Sequence, residues 1–226
     1  MAPAEDPGPG LAPTPRTALR RKRERGHAER AVIDAILDEG LVGHVGFSAA
    51  GSPFVVPMAY ARAGDVLYLH GAVANRTLRA LAEGTPACVT VTLLDGLVLA
   101  RSAFHHSMNY RSVMLFAAPT RVDDPDEQRA AVAALLDHMA PGRSADARAP
   151  TPAELRATLI VRFPITEGSA KVRTGGPVEE PEDLALAVWA GVIPFQLVAG
   201  APEPDAAAAP RAGVPPYAAR YPDRRR

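Results

Sequence analysis

The chain has 226 residues, with 25 basic and 25 acidic side chains, 47% hydrophobic residues and one cysteine, a balance that suits a single globular domain with tails. Its 23 prolines are about twice the roughly 5% average, and five lie in residues 1–26 and six in 202–226. Those ends are also net basic and leave residues 27–200 with 14 basic and 19 acidic groups, which excludes the basic excess that nucleic-acid binding needs.

Residues 1–18 and 202–226 therefore read as a disordered Pro/Ala-rich arm and a disordered tail around a domain of residues 19–201. Nucleic acid is not an expected partner, and the run Arg20–Arg25 reads as a solvated basic stretch. Cys88 cannot form an internal disulfide. No stretch resembles a signal peptide or reaches 18 apolar residues, so the expectation is a soluble, cytoplasmic protein with no membrane partner.

In chain order, His27–Glu39 has apolar residues at helical spacing and a stop at Gly40. Leu41–Ser48, Phe54–Arg62 and Val66–Ala72 read as three antiparallel strands, with Pro57 marking an edge or a bulge because it cannot donate to a ladder. Asn75–Glu83 reads as a short helix. Ala87–Leu94, a tight turn at Asp95-Gly96, Leu97–Ser102 and Ser112–Val122 supply three more strands. Asp123–Met139 is an amphipathic helix, and a short helix begins near Thr151, with Pro152 at its first position and Glu154 completing a capping box with Thr151. Leu159–Phe163 and Ile193–Ala199 close the pattern. Short strands with frequent turns and few helices predict a mainly β fold, an antiparallel barrel with helices packed outside. No GxGxxG or P-loop motif is present.

Three segments combine polarity with apolar surroundings. In LYLHGAVANR, Asn75 and Arg76 open a helix, which reads either as a cap with a surface arginine or as a phosphate seat. FHHSMNYRS packs histidines, hydroxyls, an amide and a guanidinium between hydrophobic strands, so these groups must face solvent, one another or a polar ligand. His105 and His106 point to opposite sides of an extended chain and make a poor metal clamp, so no metal site is expected. SAKVRTGGP with VWAGVIP holds Lys171 and the only tryptophan, Trp189, which reads as core or as a lid over a flat ligand. No nucleophile has a base placed by a recognised motif, which leaves a cofactor as the source of reactivity.

Taken in order, GLVGHVGFSAAGSPFVVPMAYARAGDVLYLHGAVANRTLRAL and CVTVTLLDGLVLARSAFHHSMNYRSVMLF resemble the pyridoxamine 5'-phosphate oxidase-like flavoproteins, in the flavin-nucleotide-binding branch that includes the nitroimidazole-resistance proteins. The resemblance implies a six-stranded antiparallel FMN-binding split β-barrel with flanking helices, forming a homodimer with cofactor sites at the interface. It further implies backbone contacts to the flavin from Val56 and Met58, and a second flavin-lining strand at Tyr68, Leu69 and His70. It puts the phosphate at Ala72, Asn75 and Arg76. Ser107, Asn109 and Arg111 would come from the other subunit, and Lys171, Arg173 and Trp189 would close the site.

His70 matches a histidine beside the reactive centre, where it would act as the catalytic proton donor. The implied activity is flavin-dependent oxidoreduction, from a reduced donor to a small aromatic or nitro-aromatic acceptor. The acidic VEEPEDLALAVWAG stands where the oxidases carry a basic substrate motif, so vitamin B6 oxidation is not expected. Alternatives are a haem or a deazaflavin in the same barrel, or a non-catalytic flavin- or haem-binding module, with His44, His105 and His106 as candidate haem ligands.

Overall fold

The computed structural model describes residues 10–205 and 213–221. Its strands and α-helices, in chain order, are β1 (Gly26–His27), α1 (Arg30–Glu39), β2 (Val42–Ala49), β3 (Ser52–Ala63), β4 (Val66–Ala72), α2 (Arg76–Ala82), β5 (Ala87–Leu99) and β6 (Ser107–Ala117). There follow β7 (Thr120–Arg121), α3 (Pro125–Met139), α4 (Arg143–Asp146), α5 (Pro152–Ala157), β8 (Thr158–Pro164), β9 (Gly168–Arg173), β10 (Gly191–Pro194) and α6 (Pro216–Ala219). The strands form one antiparallel sheet in the order β1-β9-β6-β5-β2-β3-β4-β8-β7, with β10 on β5.

The sheet curls around an apolar core because alternate residues of its long strands face inward. Val45, Tyr60, Leu67, Leu69, Val89, Leu115, Val161 and Phe163 are all 0% exposed. Ile33, Ile36 and Leu37 of α1 and Leu78 and Leu81 of α2 fill the same core. The result is the β-rich split barrel with flanking helices. A second, smaller core of Val66, Tyr68, Val122, Ala131 and Ile160 lies on the outer side of β4 and β8, where α3 packs.

Two departures from the sequence reading have physical causes. Asp95-Gly96 is not a turn: β5 runs on through it with a bulge between Leu94 and Gly96. A Cβ on Gly96 would stand 2.7 Å from the Ile193 carbonyl oxygen, so glycine is there for the close approach of β10 and not for a positive φ. The segment FHHSMNYRS is likewise mostly strand, since β6 begins at Ser107.

Gly10–Arg20, a stretch whose prolines suggested no fixed structure, runs along the barrel as a strap. Leu11 N–H donates to the Ala28 carbonyl at 2.8 Å, and Thr14 and Arg16 both bond the carboxylate of Glu167. Arg16 also lies over the ring of Phe116, 4.7 Å from its centroid. Proline costs nothing here because the strap needs few backbone donors. Residues 1–9, 206–212 and 222–226, which include about half of the expected disordered arm and tail, lie outside the described residues. Between them, Tyr217 of α6 accepts from Arg143 and donates to Asp146.

Candidate functional site

The barrel opens between β3 and β4. Tyr60–Ala63 pair with Val66–Leu69, but Ser52–Ala59 pair only with β2, and His70–Ala72 only with β8. Past Tyr60 and Leu69 the two strands diverge, and each presents one unpaired backbone edge to the gap.

Pro57 determines which groups that edge offers. It stands opposite His44 in the β2–β3 ladder, and since it has no N–H this pair must be of the non-hydrogen-bonded kind. The ladder bonds then fall on the flanking pairs, Gly43 with Met58 and Val45 with Val56. The backbone groups of Val56 and Met58, expected to contact a ligand, are therefore consumed by β2. Those aimed at the gap are the N–H and C=O of Val55 and the C=O of Pro57. The edge position read from Pro57 holds, because its side of β3 is open.

The opposite lip of the gap is the turn into α2. Asn75 caps that helix by accepting from Leu78 N–H at 3.1 Å, and Gly71 lets the helix sit close, since a Cβ there would meet Leu78 Cδ1 at 2.8 Å. The guanidinium of Arg76 stands over the ring of Phe54, 4.3 Å from its centroid, so the two lips meet at an arginine–aromatic contact. Among the described residues Arg76 makes no ion pair with a carboxylate, whereas Arg30, Arg62, Arg101 and Arg111 all do. It is therefore a free cation on an apolar platform. His70 and Ala72 stand beside it with their side chains open to solvent on one side, and partial burial of the His70 ring pulls its pKa below its ordinary value.

The structure separates the other expected site residues from this gap. The Leu69 side chain is 0% exposed in the barrel core. Tyr68 faces α3, where its hydroxyl donates to Glu127 at 3.0 Å, and burial first, then Glu127, pushes its pKa up. Arg111 is saturated: its Nε and one terminal nitrogen bond Asp95 at 3.0 and 2.8 Å, and both terminal nitrogens bond Glu39. Asp95 and Glu39 together hold its pKa above the ordinary arginine value.

Asn109 and Arg173 are buried against each other, and Arg173 also donates to the Gly175 and Gly176 carbonyls at 3.1 and 2.9 Å, pinning that turn. Ser107 and Lys171 are half-buried. Trp189 is 64% exposed, with its indole against Gly191, so it is not core. Counting Arg111, five of these lie on β6 or β9, with at least three strands between them and β4 in the sheet order, and Trp189 precedes β10, which pairs with β5. One protomer does not bring them to Arg76.

Phe54, which completes the Arg76 platform, was missed from sequence, where it read only as a strand residue. It also lines an open cavity of about 510 Å³ with Gly46, Val55, Cys88 and Phe116, within the ~300–1,000 Å³ range of small-molecule sites. Burial raises the Cys88 pKa, so the thiol is not activated. A larger cavity of about 580 Å³ lies beneath the strap, lined by its prolines and leucines with Arg20, Arg23 and His27. Among the described residues no cluster of three or more His, Cys, Asp or Glu could hold a metal ion, and no helix is long and apolar enough to cross a membrane.

Residues 29–172 match the family described as pyridoxamine 5'-phosphate oxidase. The flavocytochrome Anf3 from Azotobacter vinelandii is 38% identical, with 91% of this chain and 96% of that one covered and a TM-score of 0.86. An FAD and heme binding protein from Mycobacterium smegmatis is 39% identical, with 85% and 95% covered and a TM-score of 0.82. A proposed 5-nitroimidazole antibiotic resistance protein from Bacteroides thetaiotaomicron shares the fold at 24% identity, with 65% and 86% covered and a TM-score of 0.56. No curated protein matches. The extent of these matches, together with the split barrel itself, makes this chain a member of the pyridoxamine 5'-phosphate oxidase family.

Proposed function

We propose that the chain binds a flavin in the gap between β3 and β4 and uses it for oxidoreduction. The observation that carries this reading is the gap itself: an unpaired backbone edge at Val55 and Pro57 faces an unpaired arginine held over Phe54. A flavin ring needs backbone donors and acceptors along one edge, and its phosphate needs a cation, so the residues present fit the group. When bound, a flavin supplies hydride or electron transfer. The chain's own residues do the positioning. Arg76 holds the phosphate, the Val55 and Pro57 backbone fixes the ring edge, and His70 stands beside it. With its pKa lowered, His70 is neutral at pH 7, so it serves first as a hydrogen-bond partner, and as a proton donor only in mild acid.

FMN is the simplest occupant, and FAD, named for one relative, is its larger counterpart. The acceptor class is a small aromatic or nitro-aromatic compound, and the donor a reduced nicotinamide or another reductant. A homodimer with cofactor sites at its interface is part of the proposal, because the outer face of β2, β3, β5 and β6 exposes Val42, Val55, Leu94 and Met114 at 42–68%. In that dimer the half-buried Ser107 and Lys171 and the exposed Trp189 are the residues a second copy has available for the gap.

The test is cofactor retention. Purified protein should carry a flavin identifiable by absorbance and mass, reducible anaerobically by a nicotinamide and reoxidised by a nitroimidazole. Arg76→Ala should weaken flavin affinity by roughly 10- to 100-fold, since a charge-assisted hydrogen bond contributes about 1.5–3 kcal/mol. Unchanged retention would refute the phosphate assignment. A second reading, haem as an additional cofactor, is supported by the two relatives at 38–39% identity, whose names include haem or flavocytochrome.

A further inference from the structure

We infer that the cavity beneath the strap is a binding site for a small amphipathic anion, an aliphatic chain that ends in a carboxylate. The site is separate from the flavin gap. Its walls are the strap, β1 and β9, and β6, β5 and β2 stand between β9 and β3 in the sheet order.

The way the strap is pinned creates the cavity. Leu11 lies against Gly168, where a Cβ would stand 3.4 Å from its Cδ1, and Leu19 lies so close to Gly26 that a Cβ there would stand 2.5 Å from its Cδ1. Between these two leucines the chain bows outward through a turn in which the N–H groups of Thr17 and Ala18 donate to the Thr14 carbonyl at 3.1 and 2.9 Å. Pro13 and Pro15 line the space under the bow. Having no N–H, they cannot extend the sheet by pairing onto β1, so the space stays open. Thr14 and Arg16 turn the other way, to Glu167 and Phe116, and leave the cavity to its own lining.

That lining has two zones, and their chemistry selects the ligand. The first is aliphatic: Leu11, Leu19, Ala18 and the two prolines line it, and no Phe, Tyr or Trp does. A flat ring would find no partner to stack on, whereas a hydrocarbon chain would bury its surface against them. The second zone is cationic, with Arg20, Arg23 and His27 and no Asp or Glu. His27 already lies 3.5 Å from the carboxylate of Glu29, so the two arginines are the anion seat.

Among the described residues neither Arg20 nor Arg23 makes an ion pair, although Arg16 and Arg30 on either side along the chain both do. Lys22, at φ 56°, turns the backbone between them, and both side chains line the same cavity. Guanidinium groups match a carboxylate in charge and in planar geometry. The volume of about 580 Å³ lies within the ~300–1,000 Å³ range of small-molecule sites.

The experiment titrates the full-length protein with sodium octanoate by isothermal titration calorimetry, with 1-octanol and benzoate as comparisons and flavin content measured on the same samples. Wild type should bind octanoate saturably at one per chain, more tightly than octanol, which lacks the charge, or benzoate, which lacks the chain. Arg20→Gln combined with Arg23→Gln should weaken octanoate by up to roughly 25-fold, about fivefold for each exposed ion pair, and leave octanol unchanged. Ala18→Trp fills the aliphatic zone with both arginines intact and should abolish binding of octanoate and octanol alike. Both changes fall at exposed positions, and far-UV circular dichroism confirms folding. Octanoate at ten times its dissociation constant should also slow tryptic cleavage within Arg20–Arg25 roughly tenfold in wild type, because the occupied strap must first release it.

Absence of saturable octanoate binding overturns the inference. Equal affinity for octanol overturns the arginine seat, and equal affinity for benzoate overturns the aliphatic class. Octanoate binding that survives in both variants, or that leaves the cleavage rate unchanged, overturns the placement beneath the strap. Loss of flavin in either variant overturns the separateness of the two sites.

Discussion

Replacing Arg111 by methionine distinguishes a structural arginine from a ligand-binding one. The side chain links α1 to β5 and β6 through four hydrogen bonds to Glu39 and Asp95. The three side chains are 32%, 37% and 31% exposed, so their pairs fall between the surface limit of about 0–1 kcal/mol and the 1.5–3 kcal/mol of desolvated charged bonds. Taking about 1 kcal/mol for each carboxylate, the loss is about 2 kcal/mol. The two abandoned carboxylates would add a smaller repulsion. For a chain of this size, about 2 kcal/mol corresponds to a fall in Tm of roughly 4–8 °C. Methionine preserves the stem, so the change reads the charge and not the packing. The assay is thermal unfolding by circular dichroism alongside flavin content. Arg111→Met with Asp95→Asn should recover part of the loss. An unchanged Tm with loss of flavin would refute the reasoning, because it would make Arg111 a cofactor ligand.

Three further outcomes follow from particular contacts. Tyr60→Phe removes a fully buried hydroxyl that donates to the Leu37 carbonyl at 2.6 Å and should cost about 1–2 kcal/mol in urea unfolding; no change in midpoint would show that water replaces the bond. Glu167→Gln should speed tryptic cleavage within Arg20–Arg25 by loosening the strap. Arg16, then Thr14, holds the Glu167 pKa below its ordinary value. The strap contact is therefore present above the unfolded carboxylate pKa and lost as pH falls through the lower folded one, and wild type should approach the variant's cleavage rate in acid. For His70 the folded pKa is lowered, so the unfolded chain binds more protons just below about pH 6.5, and stability falls as pH drops through that window. His70→Gln should flatten that part of the pH–stability curve, and an unaltered slope would count against burial as the cause.

The sequence by itself determined the antiparallel barrel, the family resemblance and the corner at Asn75 and Arg76. Each rests on local signals: alternation of apolar residues, the capping asparagine before α2, and turn residues between strands. The same signals misread Asp95-Gly96, because a glycine that admits a neighbouring strand looks like one that makes a turn. Only the tertiary structure decided which groups face the gap. Pro57 reads as an edge residue from sequence, but that the ladder consumes Val56 and Met58 and frees Val55 depends on its register against His44. The arginines show the same division. Arg76, Arg111 and Arg173 look alike in sequence, yet they are a free cation, a doubly paired clamp and a buried turn-holder. A guanidinium's role is set by the carboxylates and carbonyls that long-range folding brings within about 3 Å, and the spacing along the chain carries no record of those partners.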